Sequence, residues 1–160
     1  MRIGFGYDVH AFVEGRELWL GGVLIDHSLG LLGHSDADVL IHSICDALLG
    51  AANMRDIGYQ FPDSSVEYKN IASKSLLSKT MRMIREAGYE LGNIDATIVA
   101  EQPKLFSYIE AMKQSLAEVM QVSINDVSLK ATTTEKLGFS GRGEGIAAYA
   151  VALMNRINIL

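Results

Sequence analysis

Arg2-Ile3-Gly4-Phe5-Gly6-Tyr7-Asp8-Val9-His10 decides the first element. Ile3, Phe5, Tyr7 and Val9 alternate with Gly4, Gly6, Asp8 and His10, the period of two that a strand imposes. Asp8 and His10 then share one face, roughly 6.6 Å apart along the backbone, close enough to reach one ion. Gly4 and Gly6 lie on that same face, and their bareness leaves room for a ligand to approach.

The rest of the chain is read outward from this strand. Glu17–Leu20 and Val23–Ile25 flank Gly21-Gly22, a hairpin pattern. Asp36–Ala52 reads as a helix, with Ser35 and Asp38 in an S-x-x-D capping pattern and Leu40, Ile44 and Leu48 as its buried stripe. Residues 52–67 form a long loop, a class that often carries function. Asn70–Ala87 is a second helix, with Leu77, Met81 and Ile84 inward and Gly88 as its stop. Ile94–Ala100 is a strand that Pro103 ends. Phe106–Gln121 is a third helix, with Ile109, Met112, Leu116 and Val119 inward. Val127, Leu129 and Ala131 alternate with Ser128 and Lys130 in another strand. Gly138, Gly141, Gly143 and Gly145 make a flexible run before a last strand, Ile146–Met154. Strands and helices mix without strict βαβ order, so the expected class is α+β: one mixed sheet with three main helices packed against it.

The chain has 160 residues, enough for a single domain spanning 1–160 with an ordinary core. Cys45 is the only cysteine, so no disulfide can form within the chain. Met1 to Gly6 lacks the apolar core of a secretory signal, and no apolar stretch reaches the ~20 residues of a spanning helix. A cytoplasmic location with no membrane partner is expected. Nineteen acidic residues against fourteen basic ones argue against a nucleic-acid partner. The 49% hydrophobic content hints at a buried subunit interface.

His42 falls on the polar side of the first helix, opposite Leu40 and Ile44. Asp38 and Asp46 lie four residues either side, and either could accept the free imidazole N–H. Two imidazoles and a carboxylate suit zinc, with a fourth position open to substrate. The spacing equally accommodates an unconnected Asp-x-His pair and a lone helical histidine. Three further features could hold anions. His34-Ser35 precede a helix N-terminus. Thr132-Thr133-Thr134-Glu135-Lys136 follow a strand, with Glu135 an oxygen ligand suited to Mg²⁺ or Mn²⁺. Gly138 to Gly145 surround Arg142, a fork for phosphate oxygens. No Walker, Rossmann or G-x-S-x-G pattern occurs.

Taken together, several segments resemble the 2-C-methyl-D-erythritol 2,4-cyclodiphosphate synthase family of the non-mevalonate isoprenoid pathway. They are Arg2-Ile3-Gly4 through Asp8-Val9-His10, Gly33-His34-Ser35-Asp36 with Asp38 and His42, Asp46 to Ala51, Asp56-Ile57-Gly58 with Phe61-Pro62-Asp63, Pro103-Lys104, and Lys130 to Gly145. They span nearly the whole chain in the family's order. Ser64-Ser65 departs from the Thr-Asp more familiar after Phe-Pro-Asp.

The resemblance implies a homotrimeric phosphorus–oxygen lyase with active sites between subunits. Its substrate would be 4-diphosphocytidyl-2-C-methyl-D-erythritol 2-phosphate, cyclised with release of CMP. Asp8, His10 and His42 would be the zinc ligands, with Asp8 and His10 also touching substrate. Glu135 would hold Mg²⁺ or Mn²⁺ on the substrate diphosphate. His34 and Thr133 would flank the reacting phosphates as catalytic groups, with Ser35 beside them. Asp56, Ile57 and Gly58 would meet the sugar hydroxyls, and Phe61, Pro62, Asp63, Ser64 and Ser65 would wall the sugar phosphate. Ala100, Glu101, Gln102, Pro103, Lys104, Leu105 and Phe106, with Ala131, Thr132, Thr133 and Thr134, would make the cytidine pocket. Phe139 and Arg142 would face the threefold axis, near a cavity for an isoprenoid diphosphate. Two other readings use the same residues: a zinc-dependent phosphohydrolase and a non-catalytic trimeric nucleotide sensor.

Overall fold

The computed structural model of the chain describes residues 1–62, 65–68 and 71–157. The opening strand, β1 (Arg2–Val13), runs antiparallel to β7 (Gly145–Arg156), with Tyr7 opposite Tyr149 and His10 opposite Ile146. On its other side β7 pairs antiparallel with β5 (Tyr89–Val99), which pairs parallel with β6 (Val127–Thr132). The short β4 (Gly30–Leu31) borders the end of β1, giving the order β4-β1-β7-β5-β6. A separate hairpin joins β2 (Leu18–Leu20) to β3 (Val23–Ile25). Its turn needs positive φ at both central residues, which Gly21 (58°) and Gly22 (71°) adopt without the cost of a Cβ. The mixed sheet with helices on one face is the expected α+β architecture.

Helix α1 (Val39–Ala51) lies under β1 and β7 and is buried nearly all round, including Leu40, Ile44 and Leu48. Only His42, Asp46 and Gly50 reach its more open edge. The helix starts later than Asp36, because Ala37 has φ of 58° and cannot be helical. Asp38 is the cap: its carboxylate accepts the Ile41 N–H at 3.0 Å. Ser35 instead accepts the N–H of Ala37, closing the preceding turn.

The glycines of β1 serve this packing and not a ligand. A Cβ on Gly4 would stand 1.8 Å from the Ala47 carbonyl oxygen, and one on Gly6 would stand 1.9 Å from that of Ser43. The α1 backbone therefore rests directly on β1. The opposite sheet face carries the apolar half of the alternation outward. Ile3 is 72% exposed and Phe5 63%, with Tyr7, Val9, Tyr149 and Val151 each about 40% exposed.

Helices α3 (Ser73–Glu86) and α4 (Ile109–Met120) complete the core with Leu77, Met81, Ile84, Met112, Leu116 and Met120. Asn70, the expected start of α3, lies outside the described residues. Ile109 and Val119 pack at the core's edge, and Phe106–Tyr108 forms a separate 3-10 turn. The region expected as loop over 52–67 contains a helical turn, α2 (Ile57–Gln60), capped by Asp56, and a 3-10 turn at Val66–Tyr68. The glycine run is likewise ordered into a turn, α5 (Gly138–Gly141). There a Cβ on Gly141 would meet the Lys136 carbonyl carbon at 2.1 Å. No helix among the described residues is long and apolar enough to cross a membrane.

Candidate active site

Asp8 and His10 project from the face of β1 that meets α1, and α1 supplies His42 to the same point. Asp8 Oδ2 lies 3.0 Å from His10 Nε2 and 3.1 Å from His42 Nδ1, and the two nitrogens are 3.2 Å apart. These atoms make a near-equilateral triangle. A tetrahedral ion with ligand atoms at about 2.0–2.1 Å would separate them by roughly 3.3–3.4 Å, so only a slight opening is needed. Among the described residues no other group of three such side chains converges in this way.

The proton positions agree with a cation at the centre. His10 Nδ1 lies 2.6 Å from the Leu32 carbonyl oxygen, which can only accept. Nδ1 therefore carries a hydrogen, which leaves Nε2 as the nitrogen that can turn a lone pair to an ion. Burial opposes ionisation of Asp8, but hydrogen bonds and charge from His10 and His42 outweigh it and hold the carboxyl down at about 2. Burial likewise pulls His10 down, and the Asp8 hydrogen bond and charge with the Leu32 carbonyl more than offset it, leaving its pKa raised.

The partners expected for the His42 ring do not provide it. Asp38 is fully buried and spends its carboxylate on the N–H groups of Gly21, Gly22 and Ile41. Asp46 accepts the Ile57 N–H at 2.7 Å. His42 Nε2 faces two hydroxyls instead, Ser73 at 3.0 Å and Ser35 at 3.2 Å. Ser73 was missed because it lies 31 residues away in sequence. The one signal that could have drawn attention to it was a serine at the start of the second helix.

The triad opens into a cavity of about 200 Å³ that Gly33, His34, Ser35, Ile57, Gly58 and Phe61 also line. Tyr68, Ile71 and Leu76, unremarked in the sequence, complete its wall. Gly33 is needed for closeness: a Cβ there would come within 2.9 Å of the Ala37 Cβ and 3.2 Å of His10 Cε1. Asp56 uses Oδ1 to cap α2 through the Tyr59 N–H. Pro62 and Ser65 are joined by the Ser65 N–H donating to the Pro62 carbonyl at 2.9 Å but do not line this cavity, and Asp63 and Ser64 lie outside the described residues.

A second cleft of about 690 Å³ opens where the parallel strands β5 and β6 end. Ala100, Pro103, Lys104, Leu105 and Phe106 form one wall, and Ala131, Thr132 and Thr133 the other. Glu101 and Gln102 are not among its lining residues. Glu101 Oε1 instead accepts the N–H groups of Thr134 and Lys136, pinning the loop after β6. On that loop Thr133 donates its hydroxyl to Glu135 at 2.9 Å, and both side chains are accessible. The two clefts share no lining residue: the triad lines the first, Thr133 the second, and Glu135 neither. Phe139 is partly exposed on α5, and Arg142 forks onto Glu144 at 2.7 and 3.1 Å.

The chain is similar to known proteins over nearly its whole length. The model of the YgbB family matches residues 1–155. The chain is 72% identical over 157 residues to the 2-C-methyl-D-erythritol 2,4-cyclodiphosphate synthase of Parabacteroides distasonis, covering 98% of each. It matches the structure of the bifunctional IspDF from Campylobacter jejuni with a TM-score of 0.94 and 44% identity, over 98% of this chain and 42% of that one. Against the IspF–CDP complex of Plasmodium falciparum the TM-score is 0.86 at 34% identity, over 98% and 97%.

Proposed function

The chain belongs to the YgbB family, and from that premise we propose that it is a 2-C-methyl-D-erythritol 2,4-cyclodiphosphate synthase, a phosphorus–oxygen lyase of isoprenoid precursor biosynthesis. Its substrate is 4-diphosphocytidyl-2-C-methyl-D-erythritol 2-phosphate. An oxygen of the 2-phosphate attacks the β-phosphorus. The bond from that phosphorus to the bridging oxygen breaks, CMP departs with the oxygen, and the eight-membered ring closes. The attacking group is already an anion, so no side chain has to remove a proton. The observation that carries the reading is the triangle of Asp8, His10 and His42 ligand atoms opening into an anion-sized cavity.

Asp8, His10 and His42 would hold zinc or a similar divalent ion, and Glu135 would hold Mg²⁺ or Mn²⁺ for the substrate diphosphate. Such ions supply Lewis-acid charge to phosphate oxygens and fix their positions. The protein's remaining task is orientation, a class of effect worth up to about 7–11 kcal/mol in well-aligned systems. His34 and Ser35 on one side and Thr133 on the other bracket the phosphates. Asp56, Ile57 and Gly58 hold the sugar, and Phe61 to Ser65 wall it. The β5–β6 cleft takes the cytidine. Buried Cys45, its thiol pushed up to about 12 by burial, has no part in this chemistry.

The working unit is a cytoplasmic homotrimer of single catalytic domains spanning 1–160. Two observations support it. The triad and the β5–β6 cleft, which Thr133 lines, are separate cavities in one chain, as expected if a neighbour's Thr133 and Glu135 complete the site. The outer sheet face also leaves Ile3, Phe5, Tyr7 and Val151 open, a patch suited to burial between subunits. Phe139 and Arg142 then border a central cavity that could take an isoprenoid diphosphate. Mass spectrometry of the products from this substrate tests the proposal. Cyclodiphosphate and CMP in equal amounts are expected. Inorganic phosphate would indicate a hydrolase, and unchanged substrate would indicate a sensor.

A further inference from the structure

The hydroxyl facing His42 is itself held from behind. Ser73 Oγ, 3.0 Å from His42 Nε2, donates its hydrogen to Asp36 Oδ1, and the Ser73 backbone N–H donates to Asp36 Oδ2 at 2.9 Å. A carboxylate accepts and does not donate. The Ser73 hydrogen is thus committed to Asp36, and only oxygen lone pairs remain for the imidazole. Toward Ser73 Nε2 is the donor, which leaves Nδ1 as the nitrogen that can turn a lone pair to a divalent ion at the point it shares with Asp8 and His10.

We propose that Asp36 and Ser73 are a positioning pair that fixes the tautomer and ring plane of His42 and thereby sets the affinity of the triad for its divalent ion. The inference rests on the reading of Asp8, His10 and His42 as metal ligands. The three histidine-orienting groups come from different places: Leu32 for His10, Ser73 on the first turn of α3, and Asp36 from the turn before α1. Ser73 is fully buried, and its bonds to Asp36 tie α3 to the N-terminal approach of α1. Ser35, the other hydroxyl near Nε2, accepts the Ala37 N–H and has no carboxylate behind it among the bonds described. It lacks the device that directs the proton.

The test uses the full-length protein with zinc or Co²⁺ alone as the probe. Zinc affinity is measured by competition with a chromophoric chelator, and the ligand field from the visible bands of the Co²⁺ form. Ser73→Ala is expected to weaken zinc binding about 10–100-fold, the usual range for such partners, and to shift the Co²⁺ bands. Ser73→Thr, which keeps the hydroxyl, restores both. Asp36→Asn also weakens binding, because its amide can donate to Ser73 and reverse the direction of the proton. Wild-type affinity and bands in both Ser73→Ala and Asp36→Asn would overturn the pairing while leaving the ligand assignment intact, provided His42→Ala abolishes binding. If His42→Ala binds zinc as wild type does, the ligand assignment falls and the pairing falls with it.

Discussion

Gly6 and Ser43 are in backbone contact: a single methyl on Gly6 would stand 1.9 Å from the Ser43 carbonyl oxygen. Ser43 follows His42, so the seat of α1 on β1 sets how far His42 stands from Asp8. Gly6→Ala is expected to destabilise the fold by about 3 kcal/mol or more, the upper range for overpacking. It should also weaken zinc binding, because α1 must move outward. Denaturant unfolding and chelator competition on the same preparation check both. An Ala variant with wild-type stability would show that the contact yields.

That relationship marks where sequence reading stopped. The alternation over Arg2 to His10 announced the strand and the shared face of Asp8 and His10 through its period alone. It did not reveal what lay against Gly4 and Gly6, because a bare position accepts a helix backbone as readily as a ligand. Gly21-Gly22 was legible because only a hairpin turn wants two left-handed residues in succession. The spacing puts the start of α1 at Asp36, earlier than the structure does, since nothing in Ala37 signals its positive φ. Gly138 to Gly145 looked flexible, yet Gly141 is required for passage against Lys136. Ser73 was invisible because its partners, Asp36 and His42, are brought to it only by the packing of α3 on α1.

Asp38 links the Gly21-Gly22 turn to the start of α1 with three backbone N–H bonds from full burial. Asp38→Ala removes a helix cap and strands buried donors. A loss of about 2–4 kcal/mol is expected from those two terms. Thermal or urea unfolding measures it, and a loss under 1 kcal/mol would contradict the role.

The metal-free protein should show a pH window set by Asp8 and His10. Asp8 is lowered to about 2 from 3.8, so its contribution is present above 3.8 and lost as pH falls toward 2. His10 is raised above 6.5, so its contribution is full below 6.5 and lost as pH rises through the folded value. The pair therefore contributes most between roughly pH 4 and 6.5. With chelator present, the stability gap between wild type and Asp8→Asn should be larger at pH 5 than at pH 8.5. Zinc affinity should follow the opposite trend, falling with acid as His10 is protonated.

The outer sheet face predicts assembly. Sedimentation of the wild-type chain should report three copies. Phe5→Glu, which places a charge in the centre of the apolar patch, should yield monomers that keep the fold and bind zinc through the triad but lose turnover. A monomeric wild-type chain with full activity would contradict the shared site.

The most direct measurement is phosphorus NMR of the chain with 4-diphosphocytidyl-2-C-methyl-D-erythritol 2-phosphate and Mg²⁺, before and after chelation and with zinc restored. Resonances of the cyclic diphosphate and CMP should grow with zinc, stop on chelation and resume on its return. His42→Ala should slow them by on the order of 10³-fold or more, the several kcal/mol that a lost Lewis acid represents. Cyclisation at the wild-type rate in His42→Ala, or after the metal has been stripped, would contradict the claim that Asp8, His10 and His42 hold the ion on which the reaction depends.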